Sequence, residues 1–566
     1  MKLTRGLAMA IRILDPRGRN HKSEIKLARR PSLQELSAGK LLIYNNTKVE
    51  FCNYTEILPS LKNCLEQVGI KNFLDFRRTV RGLNSDGIAS LADELEKTGV
   101  LAAVIALGDM GVSPASTLLT IELEKRGIPS VLITASPGAE LAQATAYYHA
   151  GKLCLCQIDL YQGTSKESIQ KQIQDRFAFI LACLTGDEIT VERNAELKFS
   201  LDMVMSEDGT LAELDELLVT CSETEYDDLA QQYFIDKHLS DGLPVIIPTQ
   251  ERVERMLAGT DEDADTVLAR NIGPAGADIR VRDIAINAVM AGCKPEYMPI
   301  LVASFRAMSQ PRYNFLQSVT TSHPGGNLIL VSGPLAKKLG IWGGQGCLGP
   351  GFHANATIGR AVNLTIINVC RSVPGVCDLD CLASQAEYTY CFAEDPTYSP
   401  WRTINEETYN NETTTVTVLK AEPPHDIIDF LSPTAADLLD TICDSCTTLG
   451  SNNSYIPGPL IVVITPDHAM LFDRDGYSKK MIQDHIHTYA NHSWPAVQNR
   501  GLRPVRPEGF DNRHPIPVTR FPEDVIVVVA GGKGGHSAVI LPWALHSDAV
   551  TVPVCDKNGV PIFVKD

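Results

Sequence analysis

One stretch near residue 100 constrains the fold more than any other part of the sequence. The run LAAVIAL at 101–107 is continuously apolar, which is typical of a strand buried on both faces of a parallel sheet. A helical pattern follows at 114–126, and a second apolar run, PSVLIT, occupies 129–134. A strand, a helix and a strand joined by short loops form a βαβ unit with a right-handed crossover. We therefore predict an α/β protein with several domains and with parallel sheets flanked by helices.

Shifts in composition divide the chain of 566 residues further. The order of elements continues with a helix at 139–150 and a strand at 152–158, and two more apolar strands are predicted at 459–465 and 524–530. The predicted parts are an N-terminal arm at 1–38, an α/β domain at 39–205, a helical connector at 206–240, a second α/β domain with Gly-rich loops at 241–420 and a C-terminal α/β region at 421–566.

The charge balance excludes some partners. Lys and Arg total 51 against 68 Asp and Glu, a net charge of −17, and an acidic surface repels nucleic acid and anionic membranes. The sequence has no signal-peptide core and no apolar run long enough to cross a bilayer. Fifteen irregularly spaced cysteines favour reduced thiols. We predict a cytoplasmic protein with a small-molecule substrate, no nucleic acid and no membrane partner; a homo-oligomer is left open.

The first candidate site is the loop at 108–117, which joins the predicted strand to a helix. Ser113 suits the N-cap and Pro114 the first helical position. Free amide groups at such a helix start bind carboxylates or phosphates. The substrate-binding candidates are Asp109, Ser113, Ser116 and Thr117; the alternative is a capped turn without a ligand.

The second candidate site is the turn after a helix predicted at 283–291, which ends at Gly292. Cys293 stands beside Lys294, and a neighbouring cation can lower the pKa of a thiol and make it a nucleophile. Glu296 is a candidate general acid or base. The alternative is a buried structural thiol.

The third candidate site combines two Gly-rich segments. In the run at 343–360, His353 is a candidate proton-transfer group, and Asn355 and Arg360 are candidate substrate ligands because Arg binds carboxylate or phosphate by two parallel hydrogen bonds. His323, in TSHPGG, is a further catalytic candidate. The alternative is that each histidine is structural.

The fourth candidate site is the run GGKGGHS at 531–537. Gly531, Gly532, Gly534 and His536 are its candidate substrate ligands, although the spacing is not that of a P-loop. The alternative is a flexible turn. We predict no metal site, because the C-x-x-C of Cys443 has no second pair at zinc-finger distance. The need for a cofactor is left open.

The segment VIALGDMGVSPASTLLTIELEKRGIPSVLIT resembles the signature segment of the UGSC family of (seleno)proteins, and more distantly the selenoprotein B component of glycine reductase. Strings such as IAINAVMAGCKPEYMPI and GPGFHANATIGRA extend the resemblance from about residue 40 to GGKGGHS. The family carries a redox pair of selenocysteine or cysteine where this chain has Met110 and Ser113. Neither residue forms a thiolate or a disulfide, so redox chemistry is not expected at this loop.

These features together predict an enzyme that acts on a small polar or anionic metabolite by nucleophilic or acid/base chemistry. Its reaction would be that of a lyase, hydrolase or group-transfer enzyme, as in specialised (secondary) metabolism. The loops at 108–117, 343–360 and 531–537 are predicted to line one pocket. Two alternatives stay open: a thiol-dependent reductase related to the UGSC selenoproteins, and a non-catalytic ligand-binding protein.

Overall fold

The computed structural model describes residues 8–18, 23–136, 138–161, 163–186, 216–222, 226–502, 504 and 514–564. Within those ranges, no helix combines the length and the apolar character that crossing a membrane requires.

The N-terminal part of the chain is built on a five-stranded parallel sheet. Strand β1 (Ala8–Leu14) lies outside it, and the strands of the sheet follow each other in the order β3-β2-β4-β5-β6. These strands are β2 (Leu41–Asn45), β3 (Phe73–Arg77), β4 (Ala102–Gly108), β5 (Ser130–Ala135) and β6 (Leu155–Ile158). The predicted parallel α/β architecture is confirmed.

Helices cover both faces of this sheet. They are α1 (Leu33–Ala38), α2 (Ile57–Gln67), α3 (Ser85–Glu96), α4 (Ser113–Lys125), α5 (Gly138–His149) and α6 (Lys166–Thr185). Alternate residues of β4 face opposite layers, because strand side chains alternate across the sheet. Val104 packs in one core with α2 and α6, and Ile105 packs in another with α3 and α4. This two-sided burial explains the continuous apolar run.

The predicted N-terminal arm is packed against the rest of the chain. Strand β1 pairs antiparallel with β7 (Glu216–Ser222), and the Arg30 guanidinium is buried 2.7 Å from the Glu124 carboxylate. The helix predicted across the connector is wrong at β7, where pairing with β1 selects an extended backbone. Helix α7 (Tyr226–Asp236) follows, and residues 206–215 lie outside the described residues.

The remaining strands of the described residues form two four-stranded sheets and two small antiparallel pairs. They are β8 (Val267–Ile272), β9 (Ala277–Arg280), β10 (Gly326–Ser332), β11 (Cys391–Ala393), β12 (Thr415–Ala421), β13 (His425–Ile428), β14 (Leu460–Ile464), β15 (Asn491–His492), β16 (Ile516–Pro517), β17 (Val525–Val529), β18 (His536–Ile540) and β19 (Val550–Pro553).

The remaining helices surround these sheets. They are α8 (Gln250–Leu257), α9 (Val281–Ala291), α10 (Met298–Met308), α11 (Phe315–Ser318), α12 (Pro334–Leu339), α13 (His353–Asn368), α14 (Ile404–Thr408), α15 (Ala435–Ser445), α16 (Pro466–Arg474), α17 (Lys479–Tyr489) and α18 (Trp494–Val497).

The two four-stranded sheets share one apolar core. Their orders are β11-β10-β12-β19 and β13-β18-β14-β17, and Leu330 of the first packs in the same core as Val463 of the second. The strands predicted at 459–465 and 524–530 are confirmed as β14 and β17, which pair in parallel. Both sheets are mixed, so the fully parallel arrangement is found in the N-terminal sheet.

Candidate functional site

The order of the N-terminal sheet places a crevice at its carboxyl edge. Strand β2 is flanked by β3 on one side and β4 on the other, so the chain leaves neighbouring strands toward opposite sides of the sheet. In open α/β sheets, ligands bind where the strand order reverses in this way. The residues that follow β2, β3 and β4 are therefore the first candidates for binding a ligand.

Asn46, immediately after β2, fixes the geometry of this edge. Its fully buried Nδ2 donates to the Leu107 carbonyl at 2.8 Å and to Ser116 Oγ at 2.9 Å. Its Oδ1 accepts from the backbone amides of Leu107 at 2.8 Å and Lys48 at 3.0 Å. One amide side chain thus ties the ends of β2 and β4 to the start of α4.

We call this place the basic crevice and assign five side chains to it. They are Lys48, Phe51, Tyr54, Arg81 and Asp109. Lys48 Nζ lies 3.3 Å from Asp109 Oδ2, and both side chains are mostly buried. Lys48 Nζ also stands 5.4 Å from the centre of the Phe51 ring, and Arg81 Cζ stands 6.0 Å from it. Two cations therefore meet at one aromatic ring, where such contacts are favourable.

Arg81 is the charged residue of the basic crevice whose side chain lacks a hydrogen-bond or ion-pair partner among the described residues. Its guanidinium makes no hydrogen bond or ion pair with any residue that the structure describes, although it is half-buried. Burial lowers its pKa, and the Asp109 carboxylate opposes that shift. A half-buried guanidinium without a carboxylate partner has unused donors for an anion.

The electrostatics of the basic crevice also change Lys48 and Tyr54. Burial, with the nearby Arg81 charge, lowers the pKa of Lys48, while Asp109 opposes the shift. Burial and the Asp109 charge raise the pKa of Tyr54. Two cations face one carboxylate, so the crevice carries an excess positive charge that an anionic ligand would balance. A lysine with a lowered pKa can also exchange a proton with a bound ligand.

Of the residues predicted at the loop 108–117, Asp109 lines the basic crevice and three hydroxyls do not. Ser113 Oγ donates to the Gly138 carbonyl and Thr117 Oγ1 to the Ser113 carbonyl, each at 2.8 Å, and Ser116 Oγ accepts from Asn46. All three side chains are fully buried. They hold the turn together through these internal hydrogen bonds, and their role as ligands stays a prediction. Helix α4 starts at Ser113 itself, one residue earlier than the N-cap assignment requires.

The turn after α9 brings Cys293 close to α13, but not as an activated thiol. The helix prediction is confirmed, with Gly292 as a left-handed C-cap. Cys293 Sγ donates to the Thr357 carbonyl at 3.2 Å, and burial raises the thiol pKa to about 12, opposite to the predicted direction. Glu296 is exposed. His353 begins α13, with Nδ1 3.4 Å from the Tyr297 hydroxyl.

Asn355 and Arg360 are occupied by partners within the chain. Asn355 Oδ1 accepts from the Trp342 amide at 2.8 Å, and its Nδ2 donates to the Cys347 carbonyl at 3.0 Å, which fastens the Gly-rich loop to α13. The Arg360 guanidinium donates to both carboxylate oxygens of Asp241, at 2.7 and 2.8 Å. Their role in substrate binding stays a prediction, and at Arg360 the carboxylate of Asp241 takes the place predicted for a substrate carboxylate.

Groups of the loop 531–537 are likewise occupied by partners within the chain. Gly531 N donates to the Gly343 carbonyl at 2.7 Å, and Gly532 lies so close to Gln345 that a side chain would collide. Gly534 N donates to Asp467 Oδ2 at 2.8 Å, so a carboxylate of the protein itself occupies the predicted phosphate position. His536 is exposed and lies 3.0 Å from Asp426.

Of the three loops that were predicted to line one pocket, two meet in the structure. The loops at 343–360 and 531–537 meet at Gly344 and Gly531, whereas Gly111 of the loop 108–117 packs against Thr320 and Thr321. His323, two residues further on, is half-buried with Nε2 3.4 Å from Glu422 Oε1.

Sequence reasoning missed Lys48, Arg81 and Tyr54. None of them belongs to a recognisable motif. A usable signal was their position, since Lys48 and Arg81 follow the ends of β2 and β3 by three and four residues. Once the order of the strands is known, residues at that spacing from the carboxyl ends become candidates.

Residues 12–184 match the model of the UGSC family, and this part of the chain is a UGSC family domain. The match covers less than a third of the 566 residues and includes the whole basic crevice. The resemblance predicted beyond residue 184, the likeness to glycine reductase and the replaced redox pair stay predictions. No curated protein and no solved structure matches the chain.

Proposed function

We propose that this chain, whose residues 12–184 form a UGSC family domain, is an enzyme that binds a small anionic metabolite in the basic crevice. The observation that carries the proposal is Arg81. Arg81 follows β3, its guanidinium carbon stands 6.0 Å from the centre of the Phe51 ring, and the guanidinium makes no hydrogen bond or ion pair with a described residue. A phosphate or carboxylate group of a ligand would supply the two parallel acceptors that a guanidinium prefers.

The residues next to Arg81 indicate the chemistry that the site would perform on this ligand. Lys48, whose pKa burial lowers, is the proton-transfer group, and Asp109 orients it at 3.3 Å. Arg81 holds the anionic group, and Tyr54, whose pKa burial raises, is near enough to Asp109 for that carboxylate to raise it further. Acid/base chemistry of this kind serves a lyase, a hydrolase or a group-transfer enzyme.

Calorimetric titration with sulfate, phosphate and small carboxylates tests the binding step. We expect Arg81→Met to weaken anion binding at least about 10-fold, because hydrogen bonds to a charged group contribute about 1.5–3 kcal/mol each. The matched control is Arg78→Met. Arg78 lies three residues earlier, and its exposed guanidinium pairs with Glu94. Equal affinities of the Arg81→Met variant and the unmodified protein would remove the proposal.

Turnover separates an enzyme from a ligand-binding protein. Metabolite mixtures incubated with the protein should lose an anionic component, and Lys48→Met should stop the loss while retaining part of the binding. Ligand that binds without being converted in either protein would favour the non-catalytic alternative.

One observation favours the reductase alternative. Cys52 is exposed and follows Phe51 directly, close enough to Tyr54 for its charge to raise the pKa of that phenol. A thiol thus stands at the rim of the basic crevice without the redox pair of the family loop. With an added small-molecule thiol as the electron donor, reduction of a disulfide substrate that is abolished by Cys52→Ser and retained by Cys381→Ser would support this alternative.

A further inference from the structure

Another cavity lies away from the basic crevice, between α13 and strands β10 and β12 of the sheet β11-β10-β12-β19. Its volume is about 320 Å³. Polar side chains dominate one wall, although the sequence gives no motif for them. They are Asn327, Asn363, Asp378, Ser384, Glu387 and Lys420.

Three carboxylates converge at this wall. Oxygen atoms of Asp378, Asp380 and Glu387 all lie within 4.8 Å of one another, and the three side chains are half-buried. Among the described residues no donor is found for the two buried oxygens of Asp380 or for the buried Oε1 of Glu387. Ligands of a hard divalent cation are separated by roughly 3–4 Å when each lies about 2.1 Å from the ion, so the spacing suits such an ion.

The charges on this wall would not balance if all three carboxylates were ionised, as they would be around a bound cation. When the three carboxylates are ionised they contribute three negative charges, and the Lys420 ammonium contributes one positive charge. Lys420 is 5% exposed, and its ammonium makes no hydrogen bond or ion pair with a described residue. Asp241, which also lines the cavity, is paired with Arg360. Two negative charges are left over, which is the charge that one divalent cation neutralises.

Asn363 is an independent indication of a ligand. It is 7% exposed and comes from α13, not from the loop that carries the carboxylates. Its Oδ1 accepts from Asn327 Nδ2 at 3.3 Å, and the Tyr313 hydroxyl fixes the orientation of Asn327 by donating to Oδ1 at 2.6 Å. Among the described residues Asn363 Nδ2 has no hydrogen-bond partner, and Asn363 lines the same cavity as Asp378 and Glu387. A buried donor without an acceptor is destabilising, so it favours an acceptor supplied by a ligand.

We propose that this cavity binds a divalent cation with hard oxygen ligands, of the Mg²⁺ or Mn²⁺ class, through Asp378, Asp380 and Glu387. The cation carries a further oxygen, from water or from an anionic ligand, and this oxygen accepts from Asn363 Nδ2 and faces Lys420. Mg²⁺ is bound in this way, by a few carboxylates together with water or substrate oxygens. The site goes beyond the proposed function and does not depend on the basic crevice.

The test uses the full-length protein after treatment with a chelator. Mn²⁺ is titrated in while free Mn²⁺ is followed by electron paramagnetic resonance, and Mg²⁺ is added as a competitor. We expect one Mn²⁺ per chain, displaced by excess Mg²⁺. Asp380→Asn and Glu387→Gln should each weaken binding at least 10-fold. Glu412→Gln, which changes an exposed carboxylate outside the cavity, is the matched control and should bind as the unmodified protein does.

Two further readouts distinguish a metal site from damage to the fold. Metal-free Asp380→Asn should melt no lower than the unmodified protein, because it removes repulsion between carboxylates, yet it should lose the rise in melting temperature that Mn²⁺ produces. Lys420→Met should bind Mn²⁺ more tightly, because it removes a positive charge beside the ion. The proposal is overturned if the protein binds no Mn²⁺, or if neither Asp380→Asn nor Glu387→Gln weakens the binding.

Discussion

At the scale of single residues, burial and pairing decide which side chains stay chemically available. Arg81 and Arg360 are both half-buried guanidinium groups, yet Arg360 is bound by Asp241 while Arg81 has no such partner among the described residues. The same contrast separates the thiols. Cys52 and Cys381 are exposed, whereas Cys293 sits against the backbone of α13.

Thiol alkylation should follow this contrast. Burial raises the pKa of Cys293 to about 12 and that of Cys347 to about 11, so at pH 8 only about one Cys293 in ten thousand is a thiolate. We expect iodoacetamide to modify Cys52 and Cys381 first, with Cys293 and Cys347 modified only after unfolding. Peptide mass spectrometry over time measures the order, and early modification of Cys293 would contradict it.

The pH dependence of anion binding should report Lys48. Its pKa is lowered, so the charged form that attracts an anion is present below this pKa and is lost as the pH rises through it. Asp109, Arg81 and Tyr54 are the other groups that face it. We expect sulfate binding to decline at a pH well below the usual lysine pKa of about 10.4. Sulfate keeps its charge over this range, so the decline belongs to the protein.

The control for this pH profile is Lys48→Arg, which stays charged at every pH of the titration. Its sulfate binding should persist to higher pH than that of the unmodified protein. Identical profiles for the two proteins would show that another group controls binding.

At the scale of elements, one buried ion pair fastens the N-terminal segment to the sheet domain. The Arg30 guanidinium donates to both oxygens of Glu124 in α4, at 2.9 and 2.7 Å, and to the Cys183 carbonyl in α6 at 3.0 Å. Glu124 in turn accepts from the backbone amides of Ala28 and Ser130. The segment, α4, α6 and the start of β5 are therefore held by one carboxylate and one guanidinium.

Replacing Arg30 tests this attachment. Arg30→Met leaves a charged Glu124 buried without its partner, and we expect a loss of about 3–5 kcal/mol in the free energy of unfolding. The neighbouring Arg29 pairs with Glu35 on the surface, so Arg29→Met should cost less than about 1 kcal/mol. Urea unfolding followed by circular dichroism measures both. Equal losses in the two variants would show that burial of the Arg30 pair is unimportant.

At the scale of the whole molecule, helix α5 joins the sheet domain to the rest of the chain. Leu141 and Tyr148 of α5 pack in one apolar cluster with Val373. The His149 ring lies directly against Gly276, where a side chain on the glycine would collide with it. Burial, with the nearby Lys125 charge, lowers the pKa of His149 to about 4.

Mild acid should therefore weaken this junction. The folded protein binds a proton at His149 less tightly than the unfolded chain, whose histidine pKa is about 6.5. The contribution of His149 to stability is complete above about pH 6.5 and is lost as the pH falls toward 4, by up to about 3 kcal/mol. Urea midpoints at pH 7.5 and pH 5 should fall less in His149→Gln than in the unmodified protein. The same fall in both would contradict this assignment.

The sequence by itself determined the local elements, because the spacing of apolar residues reflects strand and helix geometry directly. The run before Gly108 predicted a doubly buried strand, and Gly292 marked the end of a helix. Only the tertiary structure decided which polar groups are paired with other groups of the protein. Arg360 meets Asp241 across 119 residues of sequence, and Gly534 meets Asp467 across 67. Such pairings depend on how the elements pack, and no local pattern encodes them.

The same reason explains why the two proposed sites were not predictable. Lys48 and Arg81 follow different strands, and they meet only because the order of the sheet places those strands side by side. Asp380 and Glu387 lie in one loop, but Lys420 and Asn363 reach them from a strand and a helix. A sequence lists the charged groups of a site, and the fold decides which of them share a cavity and remain unpaired.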